Sequence, residues 1–282
     1  RERDHALFIS YAPVSSPRYA CAVFVEHGGG GSLVALLDDV GDRLLVRRQT
    51  GEGPPNLFVV DRAADTARPV TDFPDPAPWF SGVRQHILTY SRSDGLPLSA
   101  TLYLPPGHRE GVDPPLPVVL TGYPVTARNR DEVRPSRRAA GFVRPDGFGD
   151  IELYLLTQGY AVLSVDMPVV ADAGEGTLQG HVPQVVANAA AAMDAAAATG
   201  LVDPDRAAVL GWSFGAAMAA NLLAHSDLFD TGVAISGAYN RTLTPFGFQT
   251  ERRSFWEAPD EYMAISPFVY ADRIDEPLLL LH

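Results

Sequence analysis

The sequence predicts an α/β fold: a mostly parallel sheet covered by helices on both faces, truncated at its C-terminal end and preceded by strands of a smaller all-β part. Three observations carry this. From residue 81 onward, continuous apolar runs alternate with helix-like stretches, the pattern of buried parallel strands with crossover helices. Residues 1–80 instead hold short alternating runs separated by Gly, Pro and Asp. The pentapeptide Gly211-Trp212-Ser213-Phe214-Gly215 lies between an apolar run and an Ala/Leu-rich stretch.

In chain order, strands are expected at Ala6–Tyr11, Tyr19–Val25, Arg43–Arg47 and Asn56–Asp61. The last of these, with Ala67-Arg68-Pro69-Val70-Thr71-Asp72-Phe73, has the pattern of the closing strands of a β-propeller blade, the alternative being a small free-standing β-meander. Residues 1–80 would supply about two blades, too few to close a propeller of at least four. Val83–Tyr90 and Leu98–Leu104 predict a hairpin around Ser93-Asp94-Gly95, a turn-forming triplet. Pro117–Thr121 predicts a buried strand ending at Gly122-Tyr123-Pro124. A helix over Ile151–Gln158 stops at Gly159, and Tyr160–Asp166 is the next strand. Pro183–Ala198 predicts a long Ala-rich helix, Arg206–Leu210 a strand, Ala216–His225 a helix, and Gly232–Ser236 and Pro277–Leu281 further strands. The boundaries that follow are 1–80 for the partial propeller and 81–282 for an incomplete α/β domain.

Strand, tight turn and helix around G-x-S-x-G form the nucleophile elbow of an α/β-hydrolase. Such a turn is strained, and neighbouring chain passes too close on either side for a Cβ. It would lift the Ser213 hydroxyl above the sheet, at the positive end of the following helix. The alternative is an ordinary strand-to-helix turn whose serine caps the helix. Ligand sites in such sheets lie beyond the carboxyl ends of the strands, where Ser213, Tyr123, Ser236-Gly237-Ala238 and His282 all fall.

Composition narrows the function classes. The chain has 282 residues, 46% hydrophobic and 20% charged, with a formal net charge of −12. Such acidity argues against nucleic acid or an anionic membrane as partner, since both need a basic face. All 22 basic residues are Arg, which together with the Ala content reads as coding bias. One cysteine, Cys21, excludes an internal disulfide framework. No apolar run approaches the roughly 18 residues of a membrane span. The chain begins at Arg1 without a leader-like segment and stops at His282, flush with an apolar strand. The expectation is therefore a fragment, with the cytoplasm as compartment unless a leader precedes it. Oligomeric state is left open.

The chain resembles the prolyl-oligopeptidase family of serine peptidases, in which a β-propeller precedes an α/β-hydrolase. The resemblance rests on Leu201-Val202-Asp203-Pro204-Asp205-Arg206, on the elbow, and on Gly122-Tyr123-Pro124. The stretch from Ser236 to Gln249, with Phe255-Trp256-Glu257-Ala258 and Asn221–His225, is similar to the glutamyl endopeptidase branch in particular. Trp212 stands where that branch suggests His, and Val125 where it suggests Gly. The resemblance covers most of residues 81–282 and residues 1–80 loosely.

It implies acyl transfer from a peptide substrate, with no cofactor or metal. Ser213 would form an acyl-enzyme that water hydrolyses. The Phe214 N–H, following the nucleophile, would hold the oxyanion. By the resemblance the Tyr123 hydroxyl is the second donor; otherwise it is an aromatic packed at a strand end. Triad order in this fold is Ser, Asp, His. The resemblance sets the Asp just past the strand at 277–281 and the His further on, so the fragment alone is expected to be inactive. His282 then reads as a strand-end residue, His225 as a helix-surface one, and His181, His108 and His86 precede the nucleophile. Cleavage after Glu would need a cation to receive the carboxylate. Arg241 and Arg253, with Arg252, lie in the region resembling the specificity segment, and Phe246, Phe248 and Trp256 are candidates for pocket walls. Their alternatives are surface charge and core packing. Two other classes stay open: an esterase with the same elbow, and a non-catalytic propeller–hydrolase binding protein. The polar insertion Arg128–Asp146 is a candidate gate.

Overall fold

Alternation of apolar strands with helices produces a seven-stranded sheet in a computed structural model that describes residues 5–12, 19–26, 31–48, 53–135, 148–171, 178 and 180–282, with the backbone alone for 5–31 and 148–150. The proposed gate lies partly outside the described residues, from 136 to 146. The chain divides into two compact units, with the change between Ser81 and Gly82.

In the first unit, β1 (His5–Ala12) pairs antiparallel with β2 (Tyr19–Glu26). β3 (Gly31–Leu36), β4 (Arg43–Arg48), β5 (Asn56–Asp61) and β6 (Thr66–Pro69) form a four-stranded antiparallel meander in simple order. This is the form of one propeller blade. Asn56 ties its last turn: its side-chain oxygen accepts from Thr71 Oγ1 at 2.8 Å and from the Phe73 amide at 2.7 Å.

The second unit has the α/β-hydrolase fold. β7 (Arg84–Ser91), β8 (Pro97–Leu104), β9 (Leu116–Ala127), β10 (Ala161–Val170), β11 (Val202–Trp212), β12 (Thr231–Ile235) and β13 (Leu278–Leu281) lie in the order β13-β12-β11-β9-β10-β8-β7. β9 to β13 run parallel, and the β7–β8 hairpin joins the edge antiparallel. α1 (His181–Ala197) and α2 (Phe214–His225) pack against each other and against the central strands. Val118, Leu120, Leu163, Val209, Ala189, Ala192, Ala219 and Leu222 meet there with no exposed surface. Small alanines let the helix backbones approach the sheet, which explains the composition of α1.

Several boundaries differ from those the sequence suggests, among them that of β10, which runs past Asp166 to Val170. β9 does not stop at Thr121 but continues to Ala127, paired with β10 as far as Ala127↔Val170. Its other neighbour, β11, pairs only up to Leu210↔Thr121, so beyond that point β9 has one open edge. Pro124 is tolerated because an open edge does not require its missing N–H. The expected α-helix over 151–158 is 3-10 in form, Phe148–Gln158, ending at Gly159 with φ 85°. β11 starts four residues early, at Val202, with a register shift between Asp203 and Ala207.

Candidate active site

Ser213 sits between β11 and α2 with φ 56° and ψ −117°, a conformation that L residues rarely adopt. The flanking glycines follow from the closeness of the turn. A Cβ on Gly211 would lie 1.9 Å from the Gly215 carbonyl oxygen, and one on Gly215 would lie 2.8 Å from the Gly122 carbonyl oxygen in β9. The elbow is pinned from below by the Ser213 amide, which donates to Ile235 of β12 at 2.8 Å. The Ser213 hydroxyl makes no capping bond to α2. Its carbonyl accepts the first bonds of the helix, from Ala216 at 3.1 Å and Ala217 at 3.4 Å. The amides of Phe214 and Gly215 therefore have no acceptor within α2, and they sit at the positive end of its dipole.

The Phe214 side chain, 5% exposed, turns into an aromatic cluster. Its ring centroid is 6.2 Å from Tyr123, 5.1 Å from His181 and 5.7 Å from Phe248. Tyr123 belongs to the part of β9 paired only with β10, opposite Asp166, and is partly exposed. Its hydroxyl accepts a hydrogen bond from Gln249 Nε2 at 3.1 Å.

Arg241 enters the same cluster from the loop after β12. The Asn240 side chain caps the short 3-10 turn Arg241–Leu243, and the Arg241 amide donates to the buried Ser266 hydroxyl at 2.9 Å. The guanidinium lies 4.0 Å over the Phe248 ring and 5.0 Å over Phe214. Arg241 is 7% exposed and its Nε has no hydrogen-bond partner. Among the described residues no carboxylate forms an ion pair with it. Burial pulls its pKa below the ordinary range, while the Tyr123 hydroxyl acts in the opposite sense.

The sequence-predicted site residues thus separate. Ser213, Phe214, Tyr123 and Arg241 converge at the carboxyl ends of β9, β11 and β12, with Phe248 as a wall. Arg253 is held elsewhere: its guanidinium binds Glu251 at 3.0 and 3.1 Å and Glu261 at 3.2 Å. Phe246 is 80% exposed and stacks against Trp256 at 5.6 Å, away from the Phe214 cluster. His225 is not a free surface residue; its ring packs on Tyr270 at 4.5 Å, with Nε2 buried.

His181 and Gln249 were missed. His181 is 5% exposed, and burial together with the Arg241 charge brings its pKa down to about 4, so the ring is neutral near pH 7. One signal was present in the sequence. A helix that follows a strand starts at the strand's carboxyl end, so the first residue of α1 lies at the same end of the sheet as the elbow.

Residues 148–282 match the model of the prolyl oligopeptidase family. The chain is 44% identical over 221 residues to the "Probable glutamyl endopeptidase, chloroplastic" of Oryza sativa subsp. japonica, covering 76% of this chain and 23% of the relative. It is 43% identical over 221 residues to the protein of the same name from Arabidopsis thaliana, covering 76% of this chain and 22% of that one. The chain thus spans less than a quarter of the length of these relatives. Among solved structures, puromycin hydrolase superposes with a TM-score of 0.63 at 24% identity, covering 92% of this chain and 40% of that one. Porphyromonas gingivalis dipeptidyl peptidase 4 gives 0.65 at 17% identity, covering 98% and 40%.

Proposed function

From the premise that residues 148–282 form a prolyl oligopeptidase family domain, we propose that the intact protein is a serine peptidase with Ser213 as its nucleophile. The Ser213 oxygen attacks the scissile carbonyl while its proton passes to a histidine base. The C–N bond breaks as that proton moves to the leaving amine, and water then hydrolyses the acyl-enzyme. The base and its orienting Asp are taken to follow Ser213, as triad order in this fold requires. The Phe214 N–H and the Tyr123 hydroxyl stabilise the oxyanion. A donor of this kind is worth about 3–4 kcal/mol of transition-state stabilisation.

We assign Arg241 the side chain before the cleaved bond, with glutamate the preferred residue. A buried guanidinium between two aromatic faces is desolvated, so a carboxylate reaching it gains charge-assisted hydrogen bonds that a neutral amide gains less of. The similarity to proteins named glutamyl endopeptidase supports this reading.

The observation that carries the proposal is Ser213 at φ 56° with its hydroxyl unused by the helix it precedes. The test is labelling of the full-length protein by a fluorophosphonate probe. Wild type labels and Ser213→Ala does not; persistent labelling of Ser213→Ala would sink the assignment.

A further inference from the structure

Tyr123 can help an oxyanion only if its single hydroxyl proton points toward substrate. The phenol oxygen has one proton to give and lone pairs to accept with. Gln249 Nε2 donates to that oxygen at 3.1 Å, across 126 residues of sequence. The amide therefore occupies the accepting side, and the Tyr123 proton is left to point elsewhere. A hydroxyl that accepts one hydrogen bond also becomes a stronger donor, because hydrogen bonds in a chain polarise one another.

The turn that presents Gln249 is heavily supported. Gln249 itself has φ 50°, one of four non-glycine residues on the positive side among the described residues; Ser213 is another. Phe248 and Glu251 close the turn as a bridge pair, with the Glu251 amide donating to Phe248 at 2.9 Å. Thr250 Oγ1 donates to Thr126 Oγ1 at 3.2 Å, a second tie to the end of β9 three residues from Tyr123. Glu251, 3% exposed, is gripped by the Arg253 side chain and also accepts from the Arg253 amide at 2.8 Å. Arg253 in turn reaches Glu261, and its carbonyl accepts from Tyr262 at 2.7 Å. Strain at one residue persists only where its surroundings over-determine it.

We propose that Gln249 is a positioning residue that orients the Tyr123 hydroxyl as an oxyanion donor, with the Glu251–Arg253–Glu261 ion pairs anchoring the turn that carries it. This rests on the reading of Tyr123 given above. It also gives Arg253 a role in the site at one remove from substrate.

The test uses the full-length protein and one chromogenic peptide, with kcat and KM measured separately and thermal melts run in parallel. Tyr123→Phe lowers kcat about 10²-fold, the range for one lost donor. Gln249→Met lowers kcat about tenfold with KM within about twofold, and has no further effect in a Tyr123→Phe background, as expected for two residues acting as one unit. Gln249→Glu is worse than Gln249→Met, because a carboxylate would take the phenol proton for itself. If Gln249→Met melts low, Gln249→Gly supplies the same deletion without strain at positive φ and shows the same loss of kcat. Full kcat in Tyr123→Phe overturns the reading of Tyr123 itself. An impaired Tyr123→Phe beside a fully active Gln249→Met, additive losses in the double variant, or an active Gln249→Glu each overturn the role of Gln249 alone.

Discussion

Replacing Arg241 by Met should leave stability nearly unchanged while removing the preference for an acidic side chain. The guanidinium lies 4.0 and 5.0 Å over two aromatic faces, contacts worth about 1–2 kcal/mol each in a desolvated setting. Against that stands the desolvation of the charge, of several kcal/mol, which includes the lost hydration of its buried, unpartnered Nε. Met keeps the stem and packs its sulfur on the same rings. The opposing terms are of similar size, so the net change in unfolding free energy is within about 1 kcal/mol. The loss for substrate is larger and selective. Two charge-assisted hydrogen bonds at about 1.5–3 kcal/mol each correspond to a fall of about 10²–10⁴ in kcat/KM for a Glu peptide, at about 1.4 kcal/mol per factor of ten. The matched Gln peptide should fall by less than about threefold. The assay is kcat/KM on the Glu and Gln pair with a urea melt of each protein. A stability loss above about 3 kcal/mol with an unchanged Glu-to-Gln ratio would make Arg241 a structural strut and refute the specificity reading.

Two further outcomes follow from the geometry. Gly211→Ala drives a Cβ to 1.9 Å from a backbone oxygen and should abolish folding or cost more than about 4 kcal/mol, whereas Gly215→Ala, at 2.8 Å from the Gly122 carbonyl, should fold with a loss of about 1–3 kcal/mol; equal melts for the two would contradict the crowding described for the elbow. The His181 ring takes its proton near pH 6.5 when unfolded and near 4 in the fold, so the unfolded state binds more protons between these values and stability is lost as pH falls from 6.5 through 4, by up to about 3 kcal/mol. His181→Phe should flatten urea-melt stability over that window, and an unchanged slope would mean the ring is not held neutral.

Local signals carried much of the fold and the centre of the site. The elbow was legible because its requirement is local: a strained serine between two residues that have no room for a Cβ, with an apolar strand before and a small-residue helix after. The same holds for the β7–β8 hairpin, set by Ser93-Asp94-Gly95, and for β4 and β5 of the first unit, whereas β3 has no such signal. The length of β9 was not legible. Pro124 reads locally as a strand end, and only the absence of β11 pairing beyond Thr121 lets the strand run through it.

Side-chain convergence was equally out of reach. Arg241 and Arg253 are chemically identical and close in sequence, yet one is buried on aromatic faces and the other is gripped by Glu251 and Glu261. Phe246 and Phe248, two residues apart, are divided between solvent and the Phe214 cluster. The Gln249–Tyr123 bond spans 126 residues. The sequence by itself determined the strand–turn–helix order, the strained serine and the end of the sheet at which the candidate site lies, because backbone sterics and hydrophobic periodicity act between near neighbours. Which arginine stays available, how Tyr123 is held and that His181 stays neutral were decided only by the tertiary structure, because charge pairing and desolvation depend on groups that the chain brings together from far apart.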